Sequence, residues 1–163
     1  KTNSTDYPTT AIMDKTSKTP ATTIDDCRII SLERHPHNYG TLTVAQNSDE
    51  LPFAIKRIYY IYDIPTDTRR GGHCHNTDQC IIVATAGCFD VTVSDGISSR
   101  TFTLRRPYEG LYVPAGIWDS LSNFSSGSIA LVLSSTNFDE TDYIRHFDDF
   151  VEAKRKAFGE RDD

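Results

Sequence analysis

Residues 80–104, CIIVATAGCFDVTVSDGISSRTFTL, decide the fold. Read in order, they give an apolar run (CIIVATA), an alternating run (CFDVTVS) and a third β-type run (RTFTL). Alternation of apolar and polar residues marks a strand with one face buried, because successive side chains point to opposite sides. Asp95-Gly96 separates the second run from the third, and both residues tolerate the positive φ that a tight hairpin needs. The same grammar extends outward. Upstream lie CRIISL, GTLTVAQ, AIKRIYYIYDI and GHCH; downstream lie GLYVP and SIALVLSS. Asn38-Tyr39-Gly40 and Ser126-Gly127 supply turn chemistry between runs. Many evenly spaced strands with almost no helix predict an all-β sandwich or barrel with Greek-key connections. Only residues 144–159 read as a helix. Phe147, Phe150, Val151 and Phe158 recur there near a 3.6-residue period, and Gly159 is a fitting stop.

The 163 residues fit one domain, long enough to bury a core without disulfides. Three parts are expected: a flexible arm over residues 1–25, rich in Thr, Ser, Lys and Asp; a β-domain over 26–146; and a helix and tail over 147–163. The net charge of −6 argues against nucleic acid or an anionic membrane as partner, although a local basic pocket remains compatible with a diphosphate. No apolar run approaches the roughly 20 residues that span a bilayer. The sequence from Lys1 shows no charged-then-apolar signal pattern, and Cys27, Cys74, Cys80 and Cys88 form no C-x-x-C pair. A cytoplasmic protein with reduced thiols is the expectation.

The densest chemical signal is Arg69-Arg70-Gly71-Gly72-His73-Cys74-His75. On a strand, His73 and His75 share a face while Cys74 points away, so both imidazoles can enter one cavity. Such a pair suits metal binding or proton transfer near neutral pH. Residues 114–123, PAGIWDSLSN, match the second cupin signature except that Asp119 stands where the histidine is expected. In metal-binding cupins a glutamate follows the H-x-H, and its place falls here on Gln79 or Cys80. Two of four ligands are thus replaced. His73, His75 and Asp119 still resemble a facial triad for iron, but loss of the glutamate favours acid–base work, with no metal and no cofactor. Arg57, Tyr59, Tyr60 and Tyr62 lie on one strand. Alternation puts Arg57 and Tyr59 on one face and Tyr60 and Tyr62 on the other, and the sequence leaves open which face is inward. A strand arginine needs a partner, and a diphosphate fits its planar fork. Trp118 adjoins Asp119 at the expected cavity mouth.

With these residues in place the sequence resembles the nucleotide-sugar 3,4-ketoisomerases of the cupin superfamily. The resemblance rests on IKRIYYIYDIP (55–65), RGGHCH (70–75), GLYVPAGIW (110–118), NFSSGSIALVLSS (123–135) and DETDYIR (139–145), in that order. It implies a jelly-roll barrel with a C-terminal helix, a cytoplasmic homodimer with exchanged N-terminal strands, and a dTDP-linked keto-sugar as substrate. His73 and His75 would be the acid–base pair, with a tyrosine nearby, Tyr60 before Tyr59. Arg57 and Arg70 would lie on the phosphate side, and Tyr59, Trp118 and Asp119 would complete the substrate site. Cys74 stands where alanine is expected, and Cys80 where glutamine is expected. The reaction moves a carbonyl from C4 to C3 through an enediol, which needs a base near neutral pKa and no redox cofactor. A 3,5-epimerase of the same sugar and a non-catalytic sugar-binding cupin are the alternatives.

Overall fold

The structure is a computed structural model and describes residues 19–159. In chain order the strands are β1 (Arg28–Ser31), β2 (Glu33–His37), β3 (Gly40–Val44), β4 (Arg57–Ile61), β5 (Arg70–His75) and β6 (Cys80–Ala86). There follow β7 (Phe89–Ser94), β8 (Ser99–Leu104), β9 (Glu109–Val113), β10 (Trp118–Ser122), β11 (Ile129–Ser134) and β12 (Tyr143–Ile144), then helix α1 (Phe147–Gly159). One five-stranded sheet has the order β1-β9-β6-β11-β4 and a second has β12-β5-β10-β7-β8, while β2 and β3 form a separate hairpin. All pairings are antiparallel.

The core lies between the sheets, and the alternation that identified the strands explains it. On β7, Phe89, Val91 and Val93 are buried while Asp90, Thr92 and Ser94 face outward. They meet Ile82, Ala84, Leu111, Val113, Ala130 and Val132 from the other sheet. Strand β6 is apolar on both faces because its outer side is covered too: Ile81 and Val83 lie under Leu51, Phe53 and Ile55. The β7–β8 hairpin turns at Asp95-Gly96 as expected, but over four residues, with Asp95 Oδ1 accepting the Ile97 and Ser98 amides at 2.9 and 2.8 Å.

Several expectations are corrected. Among the described residues the two sheets share no strand pairing, so the expected barrel is open rather than hydrogen-bonded shut. CRIISL supplies β1, which within the chain pairs with β9, Ile29 opposite Leu111. The helix begins at Phe147, since Ile144 is used in β12. The arm expected over residues 1–25 lies outside the described residues as far as 18, and residues 19–25 are fastened rather than free. Thr22 Oγ1 donates to Ala115 O at 2.7 Å, and Lys154 Nζ on α1 donates to the carbonyls of Pro20 (2.8 Å) and Thr22 (2.6 Å). The four cysteines are free thiols. No helix among the described residues is long and apolar enough to cross a membrane.

Candidate active site

Strand β5 aims the histidines. Gly71 and Gly72 adopt φ of +78° and +75°, a region that side chains resist, and the pairing of β5 with β10 slips there. Asp119 lies opposite His73, but Ser120 lies opposite Gly71. A Cβ at Gly71 would come within 3.1 Å of the Asp119 carbonyl oxygen, so the close approach of β10 requires glycine. Beyond the bulge, alternation resumes. His73 and His75 point between the sheets, their rings 4.8 Å apart and edge-on, while Cys74 is buried on the opposite face.

The other walls come from neighbouring strands. On β4 the inward set is Arg57, Tyr59 and Ile61, leaving Ile58 and Tyr60 outside. Arg57 Nη2 donates to buried Asp78 Oδ2 at 3.0 Å and to Ser134 Oγ at 3.2 Å. Asp78 accepts further bonds from Ser134 Oγ, Ser135 and the Thr136 amide, which fixes its carboxylate beside Arg57. Short strand β12 pairs with the end of β5, Tyr143 opposite His75. That register lays the Tyr143 ring 4.2 Å from His75 and 5.1 Å from His73. Arg145 covers the Tyr143 ring at 4.3 Å and is bound by both carboxylate oxygens of Glu140.

Together these residues line a cavity of about 610 Å³ between the sheets, with Arg70, Phe138, Tyr143 and Arg145 among its walls. Burial lowers the pKa of His73, against an upward pull from Asp119, whose Oδ1 lies 3.8 Å from Nε2. Burial likewise lowers His75, opposed by Asp78 and Asp142. Asp119 is raised by its own burial. The site therefore favours two neutral imidazoles, with the raised Asp119 carboxyl beside His73. Burial also pushes the Cys80 thiol well up, so it is a neutral wall group rather than a thiolate. Among the described residues no three His, Cys, Asp or Glu side chains converge as a metal site.

Residues 25–155 match the family described as FdtA: WxcM-like, C-terminal. This chain belongs to the FdtA, WxcM-like family. A curated relative from Aneurinibacillus thermoaerophilus, TDP-4-oxo-6-deoxy-alpha-D-glucose-3,4-oxoisomerase, is 36% identical over 123 residues, 76% of this chain and 88% of the relative. A 3,4-ketoisomerase from Helicobacter canadensis superposes with a TM-score of 0.77 at 35% identity, covering 80% of this chain and 98% of that one. A variant of QdtA, the 3,4-ketoisomerase of Thermoanaerobacterium thermosaccharolyticum, was solved in complex with TDP-4-keto-6-deoxyglucose. It superposes with a TM-score of 0.78 at 30% identity, covering 81% and 96% of the two chains.

In this FdtA-family cavity the expected residues sort by strand face. His73, His75, Asp119, Tyr59, Arg57 and Arg70 all line it. Tyr60, expected to be catalytic, reaches only the rim; it is 60% exposed and lies on the outward face of β4 beside Tyr62. Tyr59 takes the inward place. Trp118 is not in the cavity: adjacent residues on β10 face opposite ways, and its ring packs under α1 against Phe147 and Phe150 at 5.3 and 5.6 Å. Arg57 lines the cavity and binds Asp78 through Nη2, while its buried Nε meets no partner among the described residues. Of the two positions expected in the glutamate's place, Cys80 faces the cavity, whereas Gln79 accepts the Tyr112 hydroxyl at 2.6 Å. Tyr143, Arg145 and Phe138 also line the cavity and Asp142 stands 3.4 Å from His75 Nδ1, none of which the sequence reading singled out. The DETDYIR stretch was noticed, but a two-residue strand offers no alternation to read.

Proposed function

We propose that this chain is a TDP-sugar 3,4-ketoisomerase that converts TDP-4-keto-6-deoxyglucose to its 3-keto isomer by histidine acid–base catalysis. The observation that carries the reading is the pair His73 and His75, facing one cavity in a chain whose relatives are named for this activity. One imidazole takes the C3 proton, the electrons form the C3–C4 double bond, and O4 becomes an enolate oxygen. A proton passes from O3 to O4, and the acid returns a proton to C4 as the C3 carbonyl forms. The balance needs no electron acceptor. Tyr59 or Tyr143 stabilises the enolate oxygen by hydrogen bonding. Arg70, exposed at the edge of the cavity, takes the diphosphate in place of Arg57, with Arg145 beside it.

On this reading the two sheets are the halves of a cupin jelly roll, open along the side where β4 faces β12. The enzyme needs no metal, because Cys80 and Asp119 replace two cupin ligands. It acts as a homodimer in the cytoplasm, an environment that suits four free thiols. The test is incubation with TDP-4-keto-6-deoxyglucose in D₂O, with and without chelator, the product read by NMR. The 3-keto isomer should form at equal rates in both. A 4-keto product epimerised at C3 and C5, or bound but unchanged substrate, would overturn the reading; loss of turnover on chelation would overturn metal independence.

A further inference from the structure

His75 lies between two carboxylates, and the nearer one has no cation bonded to it among the described residues. Its Nδ1 is buried and meets no hydrogen-bond partner of good geometry, lying 3.4 Å from Asp142 Oδ2 and 3.9 Å from Asp78 Oδ2. Asp78 is already engaged: its charge faces Arg57 at 3.0 Å, and its oxygens accept from Ser134, Ser135 and Thr136. Asp142 differs. Its Oδ1 accepts the Thr77 amide at 2.8 Å and the Thr77 hydroxyl at 2.7 Å, and Oδ2 accepts the Asp78 amide at 3.0 Å. These three donors are neutral and come from the turn that directly follows His75. They fix the carboxylate in place without neutralising it. The imidazole is the only group paired with Asp142 that can carry a positive charge among the described residues.

We infer that Asp142 is the positioning residue of His75: it holds a proton on Nδ1 and leaves Nε2 as the base that faces substrate. The inference rests on the ketoisomerase reading and assigns the base within it. When Nε2 takes the substrate proton, the imidazolium that forms lies against a fixed negative charge. At 3.4 Å the pair is within reach of a hydrogen bond once either side chain moves by a few tenths of an ångström. The groups facing His75 are His73 on its own strand, Arg57 on β4, Asp78 after β5, and Asp142 and Tyr143 at β12. Asp78 and Asp142 both favour protonation of His75 and Arg57 opposes it; Asp142 is the nearer carboxylate, and its contact with Nδ1 adds to its charge.

The test is Asp142→Asn, which keeps shape and removes charge. Turnover should fall about 10²-fold, at the lower end of acid–base effects. KM should hardly move. The acid limb of kcat/KM should shift to lower pH, because an imidazole without its carboxylate protonates less readily. The double variant with His75→Asn should be no slower than His75→Asn alone, since the two act as one unit. Thr77→Val loosens the same turn but keeps the charge, and its acid limb should stay where it is. A folded Asp142→Asn protein with an unmoved limb would overturn the inference, as would an equal shift with Thr77→Val. If the wild-type protein leaves TDP-4-keto-6-deoxyglucose unchanged, the functional reading fails. The pairing is then judged by NMR titration of His75, where an unchanged pKa in Asp142→Asn overturns it.

Discussion

Burial holds both cavity imidazoles below their ordinary value of 6.5 in spite of neighbouring carboxylates. The sign of the consequence follows. Near pH 6.5 the unfolded chain binds more protons at these two positions than the folded one, so their stability contribution is full above that pH. It is lost as the pH falls through the folded values. Activity follows the same direction, since a base must be neutral to act. The acid limb of kcat/KM should therefore lie below pH 6.5, and turnover should fall ~10²–10⁴-fold in His73→Asn or His75→Asn. TDP binding, measured by calorimetry, should be nearly unchanged in both. Near-normal turnover in both variants would make the histidines structural. That these two residues share a cavity was legible from the sequence, because H-x-H on a strand admits one geometry. The tyrosine was not. Both faces of β4 carry aromatics, so hydrophobicity gives no preference, and only the pairing with β11 decides that Tyr59 is inward. Trp118 was misread by its nearness to Asp119, although alternation along β10 already places the two on opposite faces.

Elements were legible where a period had room to show itself. Strand β7 alternates over six residues and hairpin β7–β8 has its glycine, so both were readable. Strand β2 was missed because Pro36 interrupts it and no residue in it is buried, which leaves no apolar face to detect. The fastening of residues 19–25 was hidden for another reason: its anchor is a lysine on a helix 132 residues beyond Thr22. Lys154 is 1% exposed, and its ammonium supplies donors to Pro20 O and Thr22 O. Asp95 holds the next turn by accepting the Ile24 amide at 3.1 Å. Lys154→Met keeps the apolar stem and removes the donors, at about 1–3 kcal/mol for each carbonyl left unmet. For a chain of this length each kcal/mol lowers Tm by roughly 2–4 °C. Thermal unfolding should show that loss, and amide exchange should quicken at Ile24 and Cys27. An unchanged Tm would show that the helix and the N-terminal segment are not coupled through Lys154.

For the whole molecule, the open question is what covers the outer face of the first sheet. Over β6 and β11, segment 45–56 buries Ile81, Val83 and Leu133. Toward β4 the cover stops. Ile58, Tyr60 and Tyr62 are about 60% exposed, with Ile58 and Tyr60 in register with Leu133 and Leu131. Strand β4 is also the edge of its sheet, so an apolar surface and an open hydrogen-bonding ladder coincide, a combination that soluble proteins rarely leave bare. The β2–β3 hairpin stands as two strands alone, and isolated hairpins are marginal in water. A second copy related by a twofold axis meets both needs, because a self-complementary patch covers its equal. Such a contact would fall at β4 and the hairpin. Sedimentation equilibrium at micromolar concentration should give the mass of two 18.3 kDa chains. Tyr62→Lys puts a charge into the patch while leaving the cavity lining alone, so it should shift the protein toward monomer with an unchanged circular dichroism spectrum. A wild-type monomer with full turnover would end the dimer proposal, and the exposed aromatics of β4 would then need another partner.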